Sequence, residues 1–546
     1  MKLFNKEISG NFATVSGILT TKPSILELIA KEVPEIGVLT TKSIGIEPWK
    51  GNIEPIICER GVGCYGNAVG LRNPGYKKFK QEMLGMYAGN RGLFNDKFVL
   101  VSIFGKSKDE FAFLARHLEE IADGFELNFS CPHAKPGYGS SIGAYEDATY
   151  EFTKEVRKAT KIPIVVKLTP NVDDIGKIAL AAINAGADGI SAINTVGPEL
   201  FYHDDFPILS NQKGGKSGRD IKDIGVKCIG EIRKAIGKEP VIIGMGGIFN
   251  AANIKEYQEA GAGIIGLGSV FAMMDINQIK QYCSELVIDL SDNTNNAEKL
   301  TIDKLVMKYS PYKIKRIKKL TDDLRIFYFD KDYSCLPGQF VFTWIPDVGE
   351  KPFSVADDSP LTLAIRKVGR FTSALFEKEE NDTIYIRGPY GKGIIPVDNA
   401  YIVAGGTGAA TALLLSKKNN NPTIFLGATA KEEILFEDEF KKYRLIIGID
   451  DGKPGKILEE LYKYFVKGDH KKEERTIYNI GPTIFMKQAI EIEKAFVPLK
   501  NIYCSLETET NCGIGLCGNC AADGYRNCIE GTFFCAEFLL KTKEFT

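Results

Sequence analysis

No run of about 20 apolar residues occurs in this 546-residue chain, so no helix is expected to span a membrane. The opening MKLFNKEISG has no apolar h-region, and no secretory signal is visible in it. Neither sign of charge is in excess: 69 Lys and Arg stand against 70 Asp and Glu, a formal net charge of -1. A chain so balanced lacks the broad positive field of a dedicated nucleic-acid binder. Apolar material is not scarce, because 44% hydrophobic and 25% charged residues exclude a largely disordered chain. At roughly 150 residues per domain the length suits three to four domains, although one α/β barrel alone uses about 250. The 12 cysteines include a tight cluster near the C-terminus. Without a secretory signal that cluster reads as metal or redox chemistry rather than disulfides, in a reducing, cytoplasmic setting.

Residues 1–290 alternate short apolar runs with amphipathic helical stretches. The runs are an opening strand near NFATVSGI and segments 36–43, 97–105, 124–130, 162–170, 189–195, 240–247 and 262–269. Buried strands alternating with helices make a parallel sheet. Eight of them predict an α/β fold closed as a (β/α)₈ barrel, with an open doubly wound sheet as the alternative.

Polar residues gather where the runs end, which in such a barrel is the catalytic face. They include Thr41-Lys42-Ser43, Asn128 to His133, Lys167-Leu168-Thr169-Pro170, Asn194-Thr195, Gly246-Gly247 and Gly268-Ser269. Lysines on apolar strands, here Lys42 and Lys167, are costly unless they meet an anion or polar ligand or snorkel to the rim. The glycines after the last two strands, with Gly214 to Gly218, suggest a phosphate site built from backbone N–H groups. Cys131 sits in a polar loop ahead of the glycine-rich KPGYGSSIG. A thiol there serves as nucleophile or general base, unless it is only a small buried hydrophobe.

The segments YGNAVGLRNPG (65–75), ELNFSCPHAKPG (126–137), VVKLTPNV (165–172), INTV (193–196), GGKSG (214–218), IIGMGGI (242–248) and GLGS (266–269) resemble, in order, the class 1 dihydroorotate dehydrogenases. The resemblance implies FMN in the barrel, with its phosphate on Gly218, Gly246, Gly247, Gly268 and Ser269. It implies Lys42, Asn67, Asn128, Asn194 and Thr195 as the orotate-binding set, with Lys42 and Asn128 also toward the flavin. Cys131 is then the base that removes the C5 proton, and Lys167 the cation beside the isoalloxazine, where fixed positive charge stabilises the reduced flavin. His133 stands where that family usually has Asn. Neutral His also offers one donor and one acceptor, with a different reach. It takes the equivalent substrate contact, or it marks another pyrimidine, such as dihydrouracil or dihydrothymine, as substrate.

A polar stretch, taken as a linker over 291–303, precedes a change of pattern. Short alternating strands follow, suggesting a small antiparallel barrel over 304–398. Strand–helix units over 399–503, with Gly405-Gly406-Thr407-Gly408 between a strand and a helix, suggest a nucleotide-binding α/β domain. In this order Lys351-Pro352-Phe353-Ser354, GPYGKG, AGGTG and IGP resemble the ferredoxin-reductase superfamily. That resemblance implies FAD on the barrel and NAD on the domain after it. The motif normally opens with Arg, and Lys351 keeps the charge without the planar fork.

Cys512-x4-Cys517-x2-Cys520, followed by Cys528, opens with the spacing of plant-type iron–sulfur sites. A [2Fe-2S] cluster over 504–546 is expected, against a Zn(Cys)₄ site, which usually pairs two C-x2-C units. Residues 304–546 resemble the electron-transfer subunit of the B subclass of class 1 dihydroorotate dehydrogenases, with a shorter last ligand spacing. The resemblances together imply oxidation of dihydroorotate to orotate in pyrimidine biosynthesis, with electrons passing from FMN through the cluster and FAD to NAD, in a homo-oligomer paired through its barrel. A non-catalytic redox sensor is the rival class, and bleaching of the flavin by substrate separates the two.

Overall fold

The computed structural model describes residues 1–129, 140–467, 474–543 and 545. They form two compact units: Met1–Met307 with Ile514–Tyr525, and Lys308–Gly513 with Arg526–Thr546. The stretch 504–546, expected as one domain, is divided between them.

Eight strands build the first unit: β1 (Phe12–Thr14), β2 (Ile36–Thr40), β3 (Phe98–Ile103), β4 (Gly124–Asn128), β5 (Ile164–Lys167), β6 (Gly189–Ala192), β7 (Val241–Met245) and β8 (Ile264–Leu267). Each pairs in parallel with the next, and β8 pairs with β1, so the sheet closes as a barrel rather than an open doubly wound sheet. Every residue of these strands except Val241 is buried, which is why they read as continuous apolar runs. Ser107, Asp174 and Asn250 cap the helices that follow β3, β5 and β7, each accepting from the N–H three residues on. Loops after β2 and β6 supply a four-stranded antiparallel sheet, in the order Val196–Leu200, Lys213–Gly218, Cys64–Asn67, Ile57–Gly61.

The segment 291–303, expected as a linker, is folded into this unit. The buried Asp289 carboxylate accepts from the Thr294 hydroxyl at 2.5 Å and the N–H groups of Asn296 and Ala297 at 2.9 and 2.8 Å. Arg219 then holds Glu298 and the Thr301 hydroxyl, both at 3.0 Å. Asn and Asp satisfy local backbone N–H groups as readily as they form loose turns, so composition alone does not separate the two.

The second unit opens with seven antiparallel strands, Gly349–Ser354 at one edge and Asp357–Asp358 at the other. Only two residues join these edge strands in sequence, so the sheet curls enough to bring its edges near each other at that connection, though the two do not pair. A parallel sheet follows in the order Arg444–Ile449, Thr423–Ala428, Tyr401–Gly405, Ile477–Ile480, Ile502–Ser505, with Phe533–Cys535 added antiparallel.

Candidate active site

In a closed parallel barrel the C-terminal strand ends meet at one mouth. Here that mouth holds a polar network centred on Glu126 of β4, which is fully buried. Its Oε1 accepts from the Ser102 hydroxyl of β3 at 2.9 Å, and its Oε2 accepts from the Ser191 hydroxyl of β6 at 2.8 Å. The Lys167 ammonium, at the end of β5 and also buried, stands 3.8 Å from Oε1. Ser102 meets the Ser43 hydroxyl at 2.8 Å, Ser43 meets Ser16 at 2.9 Å, and the Asn128 amide donates to Ser43 at 2.9 Å. Strand alternation produces this grouping, because Glu126 and Asn128 lie two residues apart on one face of β4.

Ser102, Glu126 and Ser191 were not among the sequence candidates. The signal for Glu126 was a lone carboxylate in an otherwise apolar strand, which in a barrel interior demands partners. Lys42 follows β2 and is buried, and a Cβ placed on Gly17 would lie 3.3 Å from its Nζ. Asn194 and Thr195 follow β6, where the Asn194 side-chain oxygen accepts the Thr195 N–H at 2.8 Å. Asn171, a further residue absent from the sequence candidates, donates to Thr169 at 2.8 Å and to the Thr195 carbonyl at 3.0 Å, tying the loop after β5 to the loop after β6. Asn67 lies on the antiparallel sheet and donates to the Gly215 carbonyl and Ser217 hydroxyl at 3.2 and 3.3 Å. Cys131 and His133 lie outside the described residues.

The glycines after β7 meet the Gly214 to Gly218 segment. Gly218 has φ +97°, and a Cβ there would lie 2.0 Å from the Gly63 carbonyl oxygen. Gly247 has φ +69°, and its Cβ would lie 2.8 Å from the Gly218 oxygen. Only glycine permits both backbones to approach so closely. Among the described residues the N–H groups of Gly247 and Ser269 find no protein acceptor, a donor set suited to a phosphate. Gly246 and Gly268 adjoin them in sequence, Gly268 packing against Val15.

Residues Ile514–Tyr525 belong to this same unit. The Leu19 N–H donates to the Leu516 carbonyl at 2.8 Å, and the Met273 N–H to the Ile514 carbonyl at 2.9 Å. Thr21 donates to the Cys517 carbonyl at 2.5 Å, and the Lys22 ammonium to the Ala521 carbonyl. Leu19 and Thr21 follow β1, and Met273 follows β8, so the segment with Cys517 and Cys520 is bound to loops on the catalytic face.

In the second unit, Lys351, Pro352 and Phe353 are half-buried and Ser354 is exposed, on the edge strand. The parallel sheet reverses its strand order between Tyr401–Gly405 and Ile477–Ile480, the place where such sheets bind ligands. Gly405 ends the first of these strands, and Gly406 and Gly408 follow it. A Cβ on Gly408 would lie 2.5 Å from the Ile480 oxygen, whereas one on Gly406 would meet open space. Cys512 and Cys528 belong to this unit, and all four cluster cysteines are buried. Among the described residues no three His, Cys, Asp or Glu side chains are grouped to hold one metal ion. A [2Fe-2S] cluster asks two thiolates of each iron.

The Cys512 carbonyl accepts from Arg387 at 3.0 Å. Arg387 is fully buried and forks onto Glu350, with Nε donating to Oε2 at 2.9 Å and Nη2 to Oε1 at 2.7 Å, while Tyr309 donates to Oε2 at 2.6 Å.

The dihydroorotate dehydrogenase family profile matches residues 1–290. The chain is 41% identical over 292 residues to the dihydroorotate dehydrogenase B (NAD(+)) catalytic subunit of Methanocaldococcus jannaschii, covering 53% of this chain and 91% of that protein. It is 40% identical over 291 residues to the same subunit of Pyrococcus horikoshii, again covering 53% and 91%. Among solved structures it is similar to a chain of the NADH-dependent reduced ferredoxin-NADP oxidoreductase, at 28% identity and TM-score 0.37, covering 43% of this chain and 90% of that one. The profile spans more than half of the chain, and the chain spans nine-tenths of those relatives: it belongs to the dihydroorotate dehydrogenase family.

Proposed function

We propose that this chain oxidises dihydroorotate to orotate with NAD⁺ as final acceptor, yielding NADH and one proton, and that it carries its own electron-transfer module. The observation that carries the reading is the barrel mouth, where Lys42, Asn128, Lys167, Asn194 and Thr195 end or follow β2, β4, β5 and β6, with Asn128 and Lys167 tied to a buried carboxylate network. FMN, held on Gly218, Gly246, Gly247, Gly268 and Ser269, supplies a hydride acceptor when bound. Lys42 is a cation for the substrate carboxylate, and Asn67, Asn128, Asn194, Thr195 and His133 offer donors and acceptors to the pyrimidine ring. Cys131 takes the C5 proton. Lys167 places fixed positive charge where negative charge develops.

The second half supplies the onward path: a [2Fe-2S] cluster on Cys512, Cys517, Cys520 and Cys528, FAD on Lys351 to Ser354, and NAD at Gly405, Gly406 and Gly408. The bonds from Leu19, Thr21 and Met273 to the 514–525 segment support that path, since they hold two proposed ligands on the barrel's catalytic face. A cytoplasmic homo-oligomer paired through the barrel belongs to the same reading. No helix among the described residues is long and apolar enough to cross a membrane.

The test is the anaerobically purified chain. Equal FMN and FAD, two irons per chain, and bleaching of the flavin absorbance on adding dihydroorotate are expected. Zinc in place of iron, or one flavin type only, refutes the electron-transfer reading. Failure of dihydroorotate to bleach a bound FMN refutes the substrate.

A further inference from the structure

We infer that Glu126 is a positioning residue for the redox site, which holds Lys167 and offsets part of its charge so that the reduced flavin gives up its electrons. The inference rests on the reading above that Lys167 stands beside FMN. Three features of the geometry carry it.

First, Glu126 is a carboxylate with no exposure, in a barrel interior where a charge is costly unless compensated. Its fixed partners are two hydroxyls, Ser102 at 2.9 Å and Ser191 at 2.8 Å, and neither carries charge. The ammonium 3.8 Å away is its counter-charge.

Second, that separation exceeds hydrogen-bond length. The Lys167 ammonium is neutralised at a distance, and among the described residues no hydrogen bond uses up its protons. It keeps its donors for a third group.

Third, the hydroxyl chain has one possible polarity. An ionised carboxylate only accepts, so Ser102 spends its single proton on Glu126. Ser43 must then donate to Ser102, and the Ser43 oxygen accepts from Ser16 and from the Asn128 amide. One charge at Glu126 thereby orders a chain that reaches Ser16 and Asn128, across β1 to β4.

The consequence is electrostatic. A bare Lys167 favours the reduced, anionic flavin strongly and would hold the electrons there. NAD⁺ is a weak oxidant, so an enzyme that passes electrons to it needs a flavin that releases them. A carboxylate 3.8 Å behind the ammonium reduces its field at any group on the far side.

The test is the midpoint potential of FMN in the intact chain, measured anaerobically against a reference dye. Glu126→Gln keeps the shape and one acceptor oxygen, turns the other into an amide donor that a serine oxygen accepts, and removes the charge. It is expected to favour reduced FMN by at least tenfold, a rise of about 30 mV for a two-electron couple. Glu126→Asp restores the charge and is expected to return the potential toward the wild-type value. A smaller rise or a fall in Glu126→Gln, or an Asp variant that matches the Gln variant, overturns the inference, because packing and not charge would then set the potential. If Glu126→Gln does not accumulate, the comparison is Lys167→Met with and without Glu126→Gln. The double variant buries no unpaired charge and is expected to favour reduced FMN at least tenfold more than the single, and a smaller difference overturns the inference. Wild-type protein without FMN would instead refute the reading of the site.

Discussion

Glu493 offers a sharp test of how burial sets a charge state in the second unit. It ends the helix Thr483–Glu493 and is fully buried. The Asn479 amide donates to its Oε2 at 2.7 Å, while Oε1 and the Asn479 side-chain oxygen meet no donor among the described residues. Among the described residues no cation shifts it, and a neighbouring titratable group is the buried Cys504, itself pushed up by burial. Burial therefore drives the Glu493 carboxyl up, to about 8, and the Asn479 hydrogen bond opposes this only in part. The folded chain holds this proton where the unfolded chain, with an ordinary value of 4.5, has lost it. The contribution to stability is full below about pH 4.5 and falls as pH rises toward 8. At 1.36 kcal/mol per pH unit the fall is about 3 kcal/mol between pH 5.5 and 8.5, roughly a hundredfold in the opening equilibrium. Glu493→Gln mimics the protonated group and removes this slope. Amide hydrogen exchange of peptides spanning 477–493 in the full chain, compared between the two proteins at each pH, reads it directly. The variant's added protection should grow by about two decades across that range. An advantage that stays constant with pH, or a variant less protected at pH 8.5, would refute the assignment of a buried neutral carboxyl.

Three further outcomes follow. Cys131→Ala should retain FMN while flavin reduction by dihydroorotate, followed by stopped flow without NAD⁺, slows by about 10²–10⁴; near-normal bleaching would pass the proton to another group, with His133 first. Cys517→Ser should lose iron and NAD⁺ reduction while dihydroorotate still bleaches the barrel flavin, since a hydroxyl is a poor iron ligand; NAD⁺ turnover in protein shown to be iron-free would refute the relay. Arg387→Met leaves the Glu350 carboxylate buried with the Tyr309 hydrogen bond but no counter-charge, and should destabilise the second unit by about 3–5 kcal/mol in urea unfolding, with much of that recovered when Glu350→Gln is added. An equal loss in the single and double variants would show that packing, not charge, is at stake.

The barrel was legible because each of its strands is buried on both sides and so reads as an unbroken apolar run, interrupted by helices with helical spacing. Closure of the barrel then delivered the mouth, since parallel strands send all their C-terminal residues to one end. That is why Lys42, Asn128, Lys167 and Asn194 could be picked out together. What strand ends do not reveal is what lies one layer deeper. Glu126, Ser102 and Ser191 sit inside strands, and only the closing of the barrel brings Ser102 of β3 and Ser191 of β6 within 3 Å of Glu126 of β4. Asn171 was hidden for a related reason: its bonds run between two loops that follow different strands, and neither loop carries a periodic signal.

The C-terminal segment shows a different limit. Its cysteine spacing is local, and local spacing is what sequence records well. Which unit its residues join is a matter of contacts between positions about 500 apart, as between Thr21 and Cys517. Periodicity says nothing about such pairs, and the composition of 504–546 gives no hint that residues 514–525 would belong with the barrel. The assignment has a physical logic all the same. The segment is rich in glycine, with Gly515, Gly518 and Gly524 all at positive φ, so its backbone and not its side chains makes the approach. Leu19, Thr21, Lys22 and Met273 all supply donors to its carbonyls. A loop held through its carbonyl oxygens is placed by its backbone, so the side chains that a sequence displays carry no trace of the attachment.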